Sequence, residues 1–148
     1  MGDLSEHFSK AELACHCCGQ LKIETGLIDA LEQLSTLAGK PIIVHDAYRC
    51  PAHNHAVGGV TDSEHTRGMA ADINIPGLSL QQMYELALQV PTFLSGGIGV
   101  YDGGFIHLDI RTQPARWARV AGQYVALSRL VTPPATLLAK VQTSSQPA

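Results

Sequence analysis

A chain of 148 residues is long enough for one hydrophobic core and short for two ordinary domains. A net charge of −3 with only 16% charged residues excludes the basic stripe that tracks a nucleic-acid backbone, and no apolar run reaches the ~20 residues of a membrane-spanning helix. Hydrophobic residues at 45% and a mean hydropathy of +0.07 describe a compact globule instead. Met1-Gly2-Asp3-Leu4-Ser5-Glu6 has neither the basic start nor the apolar stretch of a signal peptide, so a cytoplasmic product is the expectation.

Ser9 and Glu12 are spaced as a capping box, which predicts one or two helical turns from Lys10 to Ala14. Cys15-His16-Cys17-Cys18-Gly19 ends them. With Cys50 these are the four cysteines of the chain, and three states are open to them: reduced thiols, a disulfide from Cys50 to the cluster, or a second metal site. Thr25 is placed to cap a helix whose Leu27, Ile28, Leu31, Leu34 and Leu37 recur at helical spacing up to Gly39, and whose role is core packing. Pro41 opens the apolar run Ile42-Ile43-Val44, a short buried strand leading into Asp46-Ala47-Tyr48-Arg49. His53-Asn54-His55, Val57-Gly58-Gly59 and Thr61-Asp62-Ser63 then read as an irregular, turn-rich loop.

From Met69 the chain alternates, with Met69, Ala71, Ile73 and Ile75 apolar, so Asp72 lies on a strand and faces away from the core. Gly68 supplies the turn that lets His65, in the preceding loop, approach Asp72. After Pro76-Gly77, Ser79 caps a helix through about Gln89, with Leu80, Met83, Tyr84, Leu86 and Ala87 as its apolar side, and Pro91 closes it. Gly96-Gly97-Ile98-Gly99-Val100-Tyr101 is a thin strand whose glycines permit close approach, and Asp102-Gly103-Gly104 turns it into Phe105 to Arg111. There Ile106, Leu108 and Ile110 share one face, leaving Phe105, His107, Asp109 and Arg111 on the other.

Two imidazoles and a carboxylate, His65, Asp72 and His107, make a three-ligand set that leaves a fourth tetrahedral position on zinc for water, the arrangement of a catalytic site. His7, His16, His45 and His55 have no partner at comparable spacing and are read as surface or hydrogen-bonded residues; His53 is set near the rim. Ala115 to Ala118 and Gln123 to Leu130 suggest further strands or a hairpin around Gly122, before Pro133-Pro134 ends regular structure. The expected organisation is a single α+β domain over residues 1–132, a small and mostly antiparallel sheet with flanking helices, and a largely disordered tail over 133–148.

The run Ser63-x-His65-x-x-Gly68-x-Ala70-x-Asp72, answered by His107 in a late strand, resembles the zinc D-Ala-D-Ala carboxypeptidase family of metallopeptidases. That group takes in vancomycin-resistance dipeptidases, phage endolysins and the zinc-binding N-terminal domain of hedgehog proteins. Ala47-Tyr48-Arg49-Cys50-Pro51-Ala52-His53-Asn54, Val57-Gly58-Gly59 and the opening Phe8-Ser9-Lys10-Ala11-Glu12-Leu13-Ala14-Cys15 are similar as well, so the resemblance runs from about Phe8 to Arg111. It implies one zinc ion on His65, Asp72 and His107. It also implies hydrolysis of peptidoglycan stem peptides at or near D-Ala-D-Ala, as a carboxypeptidase or an endolysin-like endopeptidase.

Arg49, at the family's arginine position, would then bind a substrate carboxylate or steady an oxyanion, with Ser63 and His53 helping to hold substrate. The chain departs from the family at the proton carrier, which is an acid a few residues before the last histidine ligand or a histidine two before it. Phe105 stands two before His107, and no acid stands three before. Asp109 and Asp102 are left as catalytic candidates, Asp109 being equally suited to orient a ligand or pair with an arginine. A second expectation follows from the hedgehog likeness: a zinc-bearing binding module without turnover. Substrate in a cell wall would be reached through phage release, a holin or lysis. The bond cleaved and the oligomeric state are open.

Overall fold

The computed structural model describes residues 3–60 and 63–132, so the tail expected over 133–148 lies outside the described residues. In chain order the helices are α1 (Lys10–Leu13), α2 (Thr25–Ala38), α3 (Pro51–Ala56), α4 (Leu80–Leu88) and α5 (Pro91–Leu94). The strands are β1 (Ile43–Asp46), β2 (Ala70–Asn74), β3 (Gly97–Tyr101), β4 (Phe105–Asp109), β5 (Ala115–Val120) and β6 (Gln123–Val125). They form one six-stranded sheet in the order β1-β2-β4-β3-β5-β6. Every pairing is antiparallel except β3 with β5, which is parallel. That parallel pair needs no long crossover, because β4 ends beside the start of β3, where Gly97 faces Asp109, and β5 begins at the same level, where Gly97 faces Ala115. The fold is thus α+β with a mixed, mostly antiparallel sheet.

One face of the sheet is apolar. Ala71, Ile73, Ile98, Val100, Ile106 and Leu108 are buried there against Leu27, Leu31 and Leu34 of α2, Met83 and Tyr84 of α4 and Phe93 of α5. The opposite face carries the chemistry, and the pairing register lines it up. Asp46 faces Asp72 across β1 and β2, Asp72 faces His107 across β2 and β4, His107 faces Gly99, and Gly99 faces Trp117.

The helix signals behave as their chemistry requires. Ser9 with Glu12, and Ser79 with Gln82, form complete capping boxes, and Gly39 ends α2 in the left-handed conformation at φ 62°. Thr25 is not the cap of α2: Glu24 occupies that position and makes no side-chain bond, while Thr25 is already helical. β1 is not a buried strand, since it pairs with β2 alone and Ile43 is exposed at the sheet edge. His53 to His55 are helical rather than irregular. Pro51 starts α3 because a proline at the first helical position has no N–H to leave unpaired. For the same reason Pro91 opens α5 rather than merely closing α4. Ala115–Val120 and Gln123–Val125 form the anticipated hairpin around Gly122.

Gly68 joins the turn holding His65 to the strand holding Asp72. Its φ is 71°, and a Cβ there would lie 2.2 Å from the Lys22 carbonyl oxygen, so a side chain meets both backbone strain and a backbone atom. Gly68→Ala is expected to destabilise the chain by about 2–3 kcal/mol in chemical denaturation, more than a surface substitution would.

Candidate metal centre

Ser63 caps a 3₁₀ turn, Glu64–Arg67, by accepting the His65 backbone N–H on its Oγ at 3.1 Å. The turn presents His65 inward, where it is 1% exposed. His65 Nδ1–H donates to the Ala47 carbonyl at 2.7 Å; a carbonyl only accepts, so Nδ1 carries a proton and Nε2 is the nitrogen turned to the site. That Nε2 lies 3.2 Å from Asp72 Oδ1, and His107 Nδ1 lies 3.0 Å from the same oxygen. The two imidazole rings stand edge to face at 5.1 Å between centroids. One donor atom from each of His65, Asp72 and His107 falls within 4.8 Å of the others. Two buried imidazoles, each with a nitrogen turned to one shared carboxylate, fit a divalent cation.

The far side of His107 is fixed just as firmly. Its Nε2–H donates to Asp109 Oδ2 at 2.7 Å. Asp109 also accepts the Gly97 N–H at 2.8 Å, the Arg111 N–H at 3.1 Å and the Arg111 Nη2–H at 2.6 Å, and it is 0% exposed. Of the two roles open to Asp109, this geometry matches the second: it is enclosed by its donors, orients His107 and pairs with Arg111. The two glycines of β3 make room for this. A Cβ on Gly97 would lie 2.3 Å from Asp109 Oδ2, and one on Gly99 would lie 2.4 Å from the Trp117 ring. Trp117 packs against His107 at 5.1 Å between ring centroids and donates its Nε1–H to Tyr101 Oη at 3.0 Å.

Two expectations are corrected. Ser63 is 1% exposed and engaged as a cap, so it shapes the His65 turn rather than touching substrate. Asp102 accepts the Ala121 N–H on Oδ2 at 2.9 Å, tying the β3–β4 turn to the β5–β6 turn, and it is not part of the cleft.

That cleft, of about 390 Å³, receives the exposed edge of Asp72. One wall holds Arg49, Asp46 and His53, and the other Tyr101 and Phe105, stacked at 4.5 Å between centroids. His16 and His45 also line it, and both are exposed surface residues as expected, His45 Nε2 being hydrogen-bonded to Asn74 Oδ1. Arg49 is 7% exposed; its Nε lies 2.8 Å from Asp46 Oδ2 and its Nη1–H donates to Asn54 Oδ1 at 2.8 Å. Asp46 Oδ1 is buried without a hydrogen-bond partner among the described residues. The Ala47 carbonyl, Asp46 and Trp117 are not flagged by the sequence: no spacing rule marks a backbone acceptor, and Asp46 stands beside the more conspicuous Arg49. A larger cavity, about 540 Å³, lies by Glu32, Gln33 and Leu37 and is lined by none of His65, Asp72 and His107.

Burial would raise the Asp72 carboxyl, but the charge of His65 and the hydrogen bonds of both histidines hold it well below the usual carboxylate range. Asp109 is also held low: burial opposes, and the hydrogen bond and charge of His107, then those of Arg111, prevail. Burial would lower His107, yet its two carboxylate partners lift it to about 8. The metal-free site therefore keeps a proton on His107 Nδ1 below that pH, and a cation must displace it. Metal affinity is expected to fall about tenfold per unit as pH drops below 8 and to level off above it, with about one proton released on binding; calorimetry in buffers of different ionisation enthalpy measures both. Asp109→Asn should weaken metal binding by about 10–100-fold, with excess metal restoring occupancy in an equilibrium titration.

The description Peptidase M15 matches residues 6–109 of this chain. Peptidoglycan L,D-endopeptidase MepK of Escherichia coli (strain K12) is 35% identical over 102 residues, covering 64% of this chain and 53% of that protein. The protein of the same name from Shigella flexneri gives the same figures. The chain spans about half the length of the curated relatives it matches. With the match running through His65, Asp72 and His107, the chain belongs to the M15 peptidase family.

Proposed function

We propose that this chain is a zinc peptidase that cleaves peptidoglycan stem peptides. The observation that carries the reading is the convergence of His65, Asp72 and His107, with Asp72 opening into a cleft able to take an extended peptide. The peptidoglycan substrate is supported by the relatives' name, peptidoglycan L,D-endopeptidase. That name also favours an internal L,D bond over the terminal D-Ala-D-Ala bond implied by the sequence resemblance.

His65, Asp72 and His107 would hold the zinc, which would supply Lewis acidity toward a carbonyl and a water of lowered pKa. The protein's own contribution starts with orientation: the Ala47 carbonyl fixes His65, and Asp109 fixes His107. Asp46 is the proton carrier in this reading. It faces Asp72 in the sheet register and lines the cleft, so it accepts the proton of the attacking water and returns it to the leaving amine. Arg49 holds Asp46 by its other oxygen and lines the cleft as a site for a substrate carboxylate or the developing oxyanion. His53 stands on the same wall to contact substrate.

The reading is tested with purified peptidoglycan peptides carrying both bonds. Cleavage that a chelator abolishes and zinc restores is expected, and the fragment masses identify the bond. Asp46→Asn should lower kcat by about 10²–10⁴-fold at unchanged zinc content. Zinc retained with no cleavage of either bond would overturn the peptidase and favour the binding module, for which the absence of an acid at Phe105 is the one supporting observation.

A further inference from the structure

Among the described residues, a second group of metal-binding atoms is made of sulfur. Cys15, Cys17, Cys18 and Cys50 are all free thiols, and their four Sγ atoms lie within 4.8 Å of one another. Cys17 Sγ is 3.5 Å from Cys15 Sγ and 3.4 Å from Cys50 Sγ. Four thiolates about 2.3 Å from a zinc ion stand about 3.8 Å apart along each edge of the tetrahedron, so the sulfurs are already near the spacing a metal requires.

The surrounding backbone supports a sulfur site. Cys50 N–H donates to Cys15 Sγ, and His53 N–H donates to Cys50 Sγ, each at 3.4 Å. Gly19, at φ 73°, folds the segment back so that its N–H meets the Cys15 carbonyl at 2.8 Å, and the Cys15 N–H in turn meets the Gln20 carbonyl at 2.8 Å. Cys17 and Cys18 stay exposed on this knuckle, unusual for a residue type that is among the most buried.

We infer that Cys15, Cys17, Cys18 and Cys50 bind a second zinc ion, a closed structural site distinct from the His65, Asp72 and His107 centre. It clamps the knuckle after α1 onto the junction of β1 and α3, two segments far apart in sequence. Its place is next to the cleft: Cys50 follows Arg49 directly, and His16, between two of the ligands, lines the cleft with its ring 6.2 Å from that of His53. The site therefore braces the wall that carries Arg49 and His53. It does not depend on the proposed peptidase activity.

The decisive measurement uses the full chain with both histidine ligands removed, His65→Ala with His107→Ala, so that every cysteine is intact. Purified under reducing conditions and loaded with cobalt(II), it should bind about one equivalent and show the intense sulfur-to-metal charge-transfer absorption of thiolate coordination. With zinc bound instead, the four thiols should resist a thiol reagent until a strong chelator is added. The unaltered chain should hold about two equivalents of zinc, and Cys50→Ser about one. A cobalt spectrum without sulfur charge transfer, thiols that all react at once despite zinc, or an intact mass showing disulfides in the reduced preparation would each overturn the site.

Discussion

The carboxylate of Asp72, shared at 3.0–3.2 Å by His107 and His65, is the contact on which the rest of the molecule depends. It exists only in one sheet register. Asp46, Asp72, His107, Gly99 and Trp117 form a transverse row across β1, β2, β4, β3 and β5. A slip of one residue in β2 would turn Asp72 into the apolar layer and bring Ile73 to the polar face, so the hydrophobic pattern that builds the core also sets the metal ligands. Core and site are not separate achievements of the sequence here. The burial of Ile73 and Ile106 against α2 and α4 is what keeps Asp72 opposite His107.

Holding a fully buried carboxylate behind a metal ligand is costly unless every lone pair is used. Asp109 meets that condition with an imidazole, a guanidinium and two backbone N–H groups. Arg111 in turn lies over the Trp117 ring, 5.2 Å from its centroid, and Trp117 flanks His107. The ring of contacts closes through Gly97 and Gly99, whose missing side chains let the carboxylate and the indole lie against β3. Rigid placement of His107 is therefore a property of three strands together, not of β4 alone.

Much of this was legible in the sequence. Period-two alternation around Asp72 and His107 located both strands and both faces, capping residues located α1 and α4, and the glycine-rich strand announced close approach. What escaped had physical reasons. A backbone carbonyl such as that of Ala47 leaves no trace in side-chain patterns. A strand that is apolar in composition, Ile42-Ile43-Val44, reads as buried although its place at the sheet edge leaves Ile43 exposed. Pro51 and Pro91 signal an ending and a beginning alike, and only packing decides. Asp109 was seen on the right face, but whether a carboxylate beside a ligand faces the cleft or the interior depends on Gly97, twelve residues earlier, and on Arg111.

The position two before His107 shows how a departure from a family pattern can be absorbed. Phe105 is on the same face as His107, so an acid or histidine there would look into the cleft. Instead its ring stacks on Tyr101 at an interplanar angle of 14°, and the β3–β4 hairpin becomes an aromatic wall. The polar groups gather opposite, on the segment from β1 into α3, where Asp46, Arg49 and His53 line the cleft. Asp46 lies in the row of Asp72, one strand away from it, just as His107 does on the other side. In the proposed mechanism the proton carrier has accordingly moved across the metal ligands, from the β4 side to the β1 side. The exchange is consistent with the electrostatics: His107 is already flanked by two carboxylates, and a third on β4 would add like charge where none is needed, whereas Asp46 stands beside the Arg49 guanidinium.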